Sequence, residues 1–239
     1  MALDARPVRR VEVAPGAALP GHGWPVDVPA VAQVLREGLD LAPGVTFLVG
    51  ENGSGKSTLL EGIAGAAGLG LEGGERQTLH RTFASESPLH DWLRLVRGAG
   101  ASRQGFFLRA ETMHGFFTYL TEAGGTRFHE MSHGESFLAV VERFLPARGF
   151  SCLDEPEAAL SFSSTLVLVG RLHEIARTEG AQVVCATHSP VLAALPGATV
   201  LELGPWGIRE TTWDDLVLVA NWRSYLEDPY RYLRHVLDG

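Results

Sequence analysis

Eight consecutive residues, Gly50, Glu51, Asn52, Gly53, Ser54, Gly55, Lys56 and Ser57, constrain this chain more than any other stretch. They fit G-x-x-x-x-G-K-[ST], follow the apolar run Val45–Val49 and precede a helical pattern over Thr58–Ala67. Strand, glycine loop and helix in that order let backbone N–H groups curl around phosphate oxygens at the positive end of a helix. Lys56 is the single lysine among 20 basic residues. Its ammonium is a compact point charge that arginine's planar fork does not replace. A glycine-rich turn matching by accident is the bland alternative, and it leaves both the lysine and the flanking elements unexplained. Gly50–Thr58 therefore reads as a nucleotide-binding phosphate loop, with Lys56 on the β- and γ-phosphates and Ser57 able to hold Mg2+.

Such a loop needs a second strand that carries an acid to the metal. Phe150–Leu153 reads as a short strand and ends at Asp154 and Glu155. Asp154 is the candidate for Mg2+, and Glu155 the candidate for polarising a water at the γ-phosphate. Alone, these acids fit a solvated strand end equally well. The strand Val183–Ala186 leads to Thr187 and His188, and with the acids His188 fits a γ-phosphate sensor rather than a structural histidine. Between loop and acids, Ser132 and Glu135 have capping-box spacing at the start of a helix over Ser132–Phe144. The sharper reading is that this helix start, with Gly134, meets phosphate from a second protomer.

Apolar segments place further strands at Val8–Val13 (an edge), Phe106–Ala110 and Thr199–Leu203, and helices over Val31–Leu39, Pro88–Val96, Ser163–Arg177 and the tail Asp214–Leu237. The expected fold class is α/β, a mostly parallel sheet flanked by helices, in one domain over 1–239. Within it, 68–105 reads as an irregular insertion, 111–148 as a reduced helical region and 211–239 as a helical tail.

The ordered set Gly50–Ser57, Ser132–Glu135, Asp154–Glu155 and His188 resembles the ATP-binding-cassette class of P-loop ATPases. Phe107–Glu111, Ser132–Ser136 and Asp154–Leu160 resemble, more narrowly, the small soluble bacterial members usually labelled "AAA family ATPase". The resemblance implies ATP with Mg2+, and two ATPs held head-to-tail between two protomers. Each phosphate loop would then face the partner's Ser132, Gly134 and Glu135. Trp24 stands about where the class stacks an aromatic on adenine, and Glu111 where a metal-contacting glutamine is expected. His133, Glu135 and Ser161 depart from the class, Ser161 replacing an aspartate that crosses between protomers. The short stretch from Glu111 to Ser132 leaves no room for a transporter's helical lobe or a coiled-coil arm.

Hydrophobic residues make up 45% of 239, no apolar run approaches the roughly 18 needed to span a bilayer, and no secretory leader is visible behind Met1–Arg10. Two cysteines, Cys152 and Cys185, build no disulfide framework and read as small buried hydrophobes on neighbouring strands. A cytoplasmic ATPase that dimerises on ATP and drives a protein partner is the leading expectation. A transporter subunit, a small-molecule kinase and a DNA-repair ATPase are the alternatives. A net charge of −8 argues against a broad nucleic-acid surface, although Arg94, Arg97, Arg103 and Arg109 are candidates for a local one. Core packing is the expected use of the tail aromatics Trp213, Trp222, Tyr225, Tyr230 and Tyr232, with a partner-docking face as the alternative.

Overall fold

The computed structural model describes residues 6–70, 74–75, 87–112 and 133–237. In chain order they form β1 (Arg10–Val13), α1 (Pro29–Glu37), β2 (Leu39–Asp40), β3 (Gly44–Val49), α2 (Lys56–Ala66), β4 (Gly74–Glu75), α3 (Leu89–Trp92), β5 (Leu93–Val96) and β6 (Gly105–Arg109). There follow α4 (His133–Phe144), β7 (Gly149–Asp154), α5 (Phe162–Ala176), β8 (Ala181–Thr187), α6 (Pro190–Ala193), β9 (Thr199–Gly204), β10 (Gly207–Thr211), α7 (Val217–Glu227) and α8 (Tyr230–Leu237). Single 3-10 turns lie at Ala110–Thr112 and Pro156–Ala159.

Seven strands pair in the order β10-β9-β3-β8-β7-β6-β4. The five in the middle are parallel, and the outer two are antiparallel. Strands buried on both faces read as unbroken apolar runs, and β3, β7 and β8 are buried at every position. Successive side chains alternate between two cores. Phe47 and Val49 face α4 and α5, against Phe137, Leu168 and Leu172. Leu48 faces the other way, toward α1 and α2, against Val31, Leu59 and Ile63. Cys152 and Cys185 are both free and buried, on the adjacent strands β7 and β8.

A smaller antiparallel sheet, β2-β1-β5, packs beside α1 and α2. It corrects two expectations. β1 pairs on both sides, so it is a central strand rather than an edge. Pro88–Val96 is helical only over Leu89–Trp92 and then extends as β5, because Val11 and its neighbours supply a ladder that outweighs local helix preference. The tail breaks at Asp228 and Pro229 into two helices. Core packing holds for Trp213, whose Nε1 donates to the Pro190 carbonyl at 2.8 Å. It fails for Trp222, Tyr225, Tyr230 and Tyr232, which are exposed. Among the described residues no helix is long and apolar enough to cross a membrane.

Candidate nucleotide site

β8 lies between β3 and β7, with Val49 beside Thr187 and Ala186 beside Asp154. Three neighbouring parallel strands therefore end together, and their C-terminal loops bring the phosphate loop, His188 and the two acids to one edge, where open α/β sheets bind ligands. The loop's backbone demands glycine at particular points. Gly55 caps α2 in the left-handed region, with φ 95°. A Cβ on Gly50 would sit 2.4 Å from the Leu203 carbonyl oxygen and 2.7 Å from Ser54 Oγ. A cleft of about 550 Å³ opens here, lined by Gly50–Ser54, His188 and the β9–β10 turn with Trp206.

Lys56 is 3% exposed, and its Nζ donates to the Glu51 carbonyl at 3.0 Å. Burial pulls its pKa below the usual lysine range, while the charges of Glu155, Asp154 and Glu157 hold it up. Asp154 is 5% exposed. Burial raises its pKa, and Arg109 and a hydrogen bond with Ser57 act in the opposite direction. Asp154 Oδ1 is buried with no hydrogen-bond partner among the described residues. An orphaned carboxylate oxygen of that kind is costly unless something fills its place. A hard divalent cation beside the Ser57 hydroxyl fits. No group of three or more His, Cys, Asp or Glu side chains suited to a metal occurs among the described residues. Mg2+ is usually bound by one or two carboxylates plus substrate phosphates and water, so the donor set suits it.

Glu155 is the one non-glycine residue with positive φ among those described, at φ 48° and ψ 50°. That conformation costs on the order of 1–2 kcal/mol and is held by its N–H donating to the Ala186 carbonyl at 3.0 Å. The kink turns the carboxylate toward β8, where Glu155 Oε1 lies 3.1 Å from His188 Nε2. Sequence reasoning missed Glu157. Its Oε1 accepts from Thr187 Oγ1 at 2.7 Å and from the His188 N–H at 2.5 Å, fixing the backbone that carries the imidazole. The signal was present as a third acid two residues beyond Glu155, but spacing alone does not say which acid turns inward.

The other candidates are placed less directly. Trp24 is 57% exposed, on the turn that leads to Val28, which packs against Gly55. Glu111 is exposed on the 3-10 turn after β6. Ser132 lies outside the described residues. Gly134 opens α4 beside Ala159 and Ser164, Glu135 is exposed, and neither lines the cleft at this chain's own phosphate loop. Ser161 caps α5, its Oγ accepting from Ser164 N–H.

Residues 35–91 match the profile of an AAA domain. Residues 90–194 match a second profile described as "AAA domain, putative AbiEii toxin, Type IV TA system". Between them the two AAA-domain profiles match residues 35–194 of this chain. No curated relative matches it. Among solved structures it is similar to one described as "a putative metal-chelate type ABC transporter" in an inward-facing conformation, at 18% identity over 80% of each chain and TM-score 0.46. It is also similar to a bacterial ABC transporter cassette solved as a dimer, at 19% identity over 74% of this chain and 88% of that one, TM-score 0.43. The same cassette bound to ADP and Pi gives 17% identity over 74% and 89%, TM-score 0.42.

The arginines named for a nucleic-acid surface are mostly committed elsewhere. Arg94 pairs with Glu12 at 2.6 Å, and Arg97 donates to the Ala67 carbonyl. Arg109 is partly buried between Glu61 and Asp154. Arg103 is exposed on the loop before β6, and Arg94 is exposed on β5.

Proposed function

We propose that this protein binds ATP with Mg2+ and hydrolyses the bond to the γ-phosphate, two copies closing head-to-tail around two ATPs to drive a protein partner. The observation that carries the reading is the convergence of Lys56, Asp154, Glu155 and His188 at the ends of β3, β7 and β8. Lys56 neutralises the β- and γ-phosphate oxygens. Ser57 and Asp154 would hold Mg2+, which when bound offsets phosphate charge, and Glu111 on the turn after β6 is the proposed further contact to it. Glu155 takes a proton from water as the water oxygen attacks phosphorus in line, and the bond from phosphorus to the bridging oxygen breaks to give ADP and phosphate. His188 steadies the γ-phosphate, and its contact with Glu155 keeps the two groups in register. Trp24 is the proposed adenine platform. Ser132, Gly134 and Glu135 would complete the site on the partner copy, in keeping with Gly134 and Glu135 lying away from this chain's own cleft.

The test is the solution mass of Glu155→Gln with and without Mg-ATP. A mass that doubles only with ATP supports both nucleotide binding and the two-copy site. ATP binding with an unchanged mass removes the homodimer from the reading.

A further inference from the structure

The chemistry above leaves Arg109 without a task, although its guanidinium lies against the carboxylate that would hold the cation. Arg109 Nε donates to Asp154 Oδ2 at 3.0 Å, and Nη2 donates to Glu61 Oε2 at 2.8 Å. The approach is set by the sheet, since β6 and β7 run parallel with Arg109 directly beside Asp154. Glu61 is anchored in turn, its Oε1 accepting from the Ser87 N–H at 3.2 Å. On α2, Ser57 and Glu61 are four residues apart and share one face. Arg109 thus ties Asp154 on the acid strand to Glu61 on the phosphate-loop helix, one turn beyond Ser57. Asp154 Oδ2 is committed to Arg109, and the buried Oδ1 is left without a partner among the described residues.

We infer that Arg109 is a positioning residue that sets the Asp154 carboxylate for the divalent cation, presenting Oδ1 while Glu61 holds the guanidinium from behind. This rests on the ATPase reading. Arginine suits the task because its planar fork spans two carboxylates at once, whereas a lysine ammonium at the same position serves one. Partners that orient a metal-holding carboxylate commonly change metal affinity by 10–100-fold when removed.

The experiment is equilibrium binding of AMP-PNP, a non-hydrolysable ATP analogue, measured with Mg2+ and with EDTA. The readout is the ratio of the two affinities, compared between the wild type, Arg109→Met, Arg109→Lys and Glu61→Gln. The inference expects the ratio to fall about tenfold in Arg109→Met and by a smaller factor in the other two. A merely structural tie between β6 and α2 would weaken both affinities equally and leave the ratio unchanged, and that result in all variants that fold overturns the role of Arg109 while sparing the ATPase reading. Should Arg109→Met fail to fold, Arg109→Lys and Glu61→Gln decide by the same ratio. A wild type that ignores AMP-PNP under both conditions overturns the ATPase reading and the inference together. Wild-type binding that Mg2+ does not strengthen overturns the inference alone.

Discussion

His188 Nε2 stands 3.1 Å from Glu155 Oε1, across the ends of two adjacent parallel strands. The two groups assigned to the γ-phosphate are therefore placed by one structural unit, the β7–β8 pair, and a displacement of either strand end moves both. The left-handed backbone of Glu155, held by its N–H donating to the Ala186 carbonyl, fixes where its side chain leaves the chain.

Replacing Glu155 by glutamine keeps the shape and the hydrogen-bonding reach to His188 but removes the base. Phosphate release is expected to fall by about 10²–10⁴-fold, the range for losing general-base catalysis, while nucleotide affinity changes little. Release assays on the variant, with binding measured in parallel, check this. Turnover that is unchanged places the base elsewhere.

Glu157 gives a prediction with a different signature. In Glu157→Ala, the Thr187 hydroxyl and the His188 N–H lose their common acceptor at the buried end of β8. Two unpaired donors cost about 2–4 kcal/mol, and the loosened loop also carries the imidazole. Urea denaturation should show the destabilisation, and turnover should fall more than nucleotide affinity. Glutamine at this position retains an acceptor oxygen and should recover part of the stability. Equal midpoints for the wild type and Glu157→Ala would contradict the clamp.

The fold and the site differed in how legible they were. β3, β7 and β8 announce themselves because a strand buried on both faces must be apolar throughout, and their terminal polar residues then stand out as the site. β5 did not, since Leu93, Arg94, Leu95 and Val96 gain extended structure only from pairing with β1, eighty residues upstream. Arg109 and Glu157 were misjudged or missed for a related reason. An arginine in a sequence looks like surface charge until the register sets it beside Asp154, and an acid after Asp154–Glu155 looks redundant until it is seen gripping the next strand. Trp222, Tyr225 and Tyr232 show the converse error, because helical spacing of aromatics marks a shared face without saying that anything covers it.

Lys56→Met removes the ammonium and keeps most of the buried stem. The loss should appear as a missing ligand effect rather than as an unfolded protein, because Nζ has a loop carbonyl as its hydrogen-bond acceptor and burial already works against its charge. A ligand at about 100 times its dissociation constant stabilises the folded state by about 2.7 kcal/mol. Thermal melts with and without Mg-ATP should therefore separate for the wild type and coincide for the variant. A wild-type-sized shift in Lys56→Met would remove the phosphate-loop assignment.

The two cysteines report on the same equilibrium from inside the sheet. Cys152 and Cys185 are fully buried, and burial pushes both thiols well above the ordinary cysteine range. A thiol held in its neutral form reacts slowly, and here the reagent also has no path to it. At pH 8 the folded protein should be inert to an aromatic disulfide reagent, and both thiols should react at once in denaturant. Slow labelling of the native protein then occurs only through openings that uncover the two cores, Cys152 under α1 and α2 and Cys185 under α4 and α5. An opening that reaches the ends of β7 and β8 also breaks the contact between Glu155 and His188, and such an open state lacks the proposed nucleotide site. Saturating Mg-AMP-PNP should slow labelling by about the factor 1 + [L]/Kd, with Kd taken from direct binding. A labelling rate indifferent to the analogue, in protein that binds it, would mean that the cores open without disturbing the site.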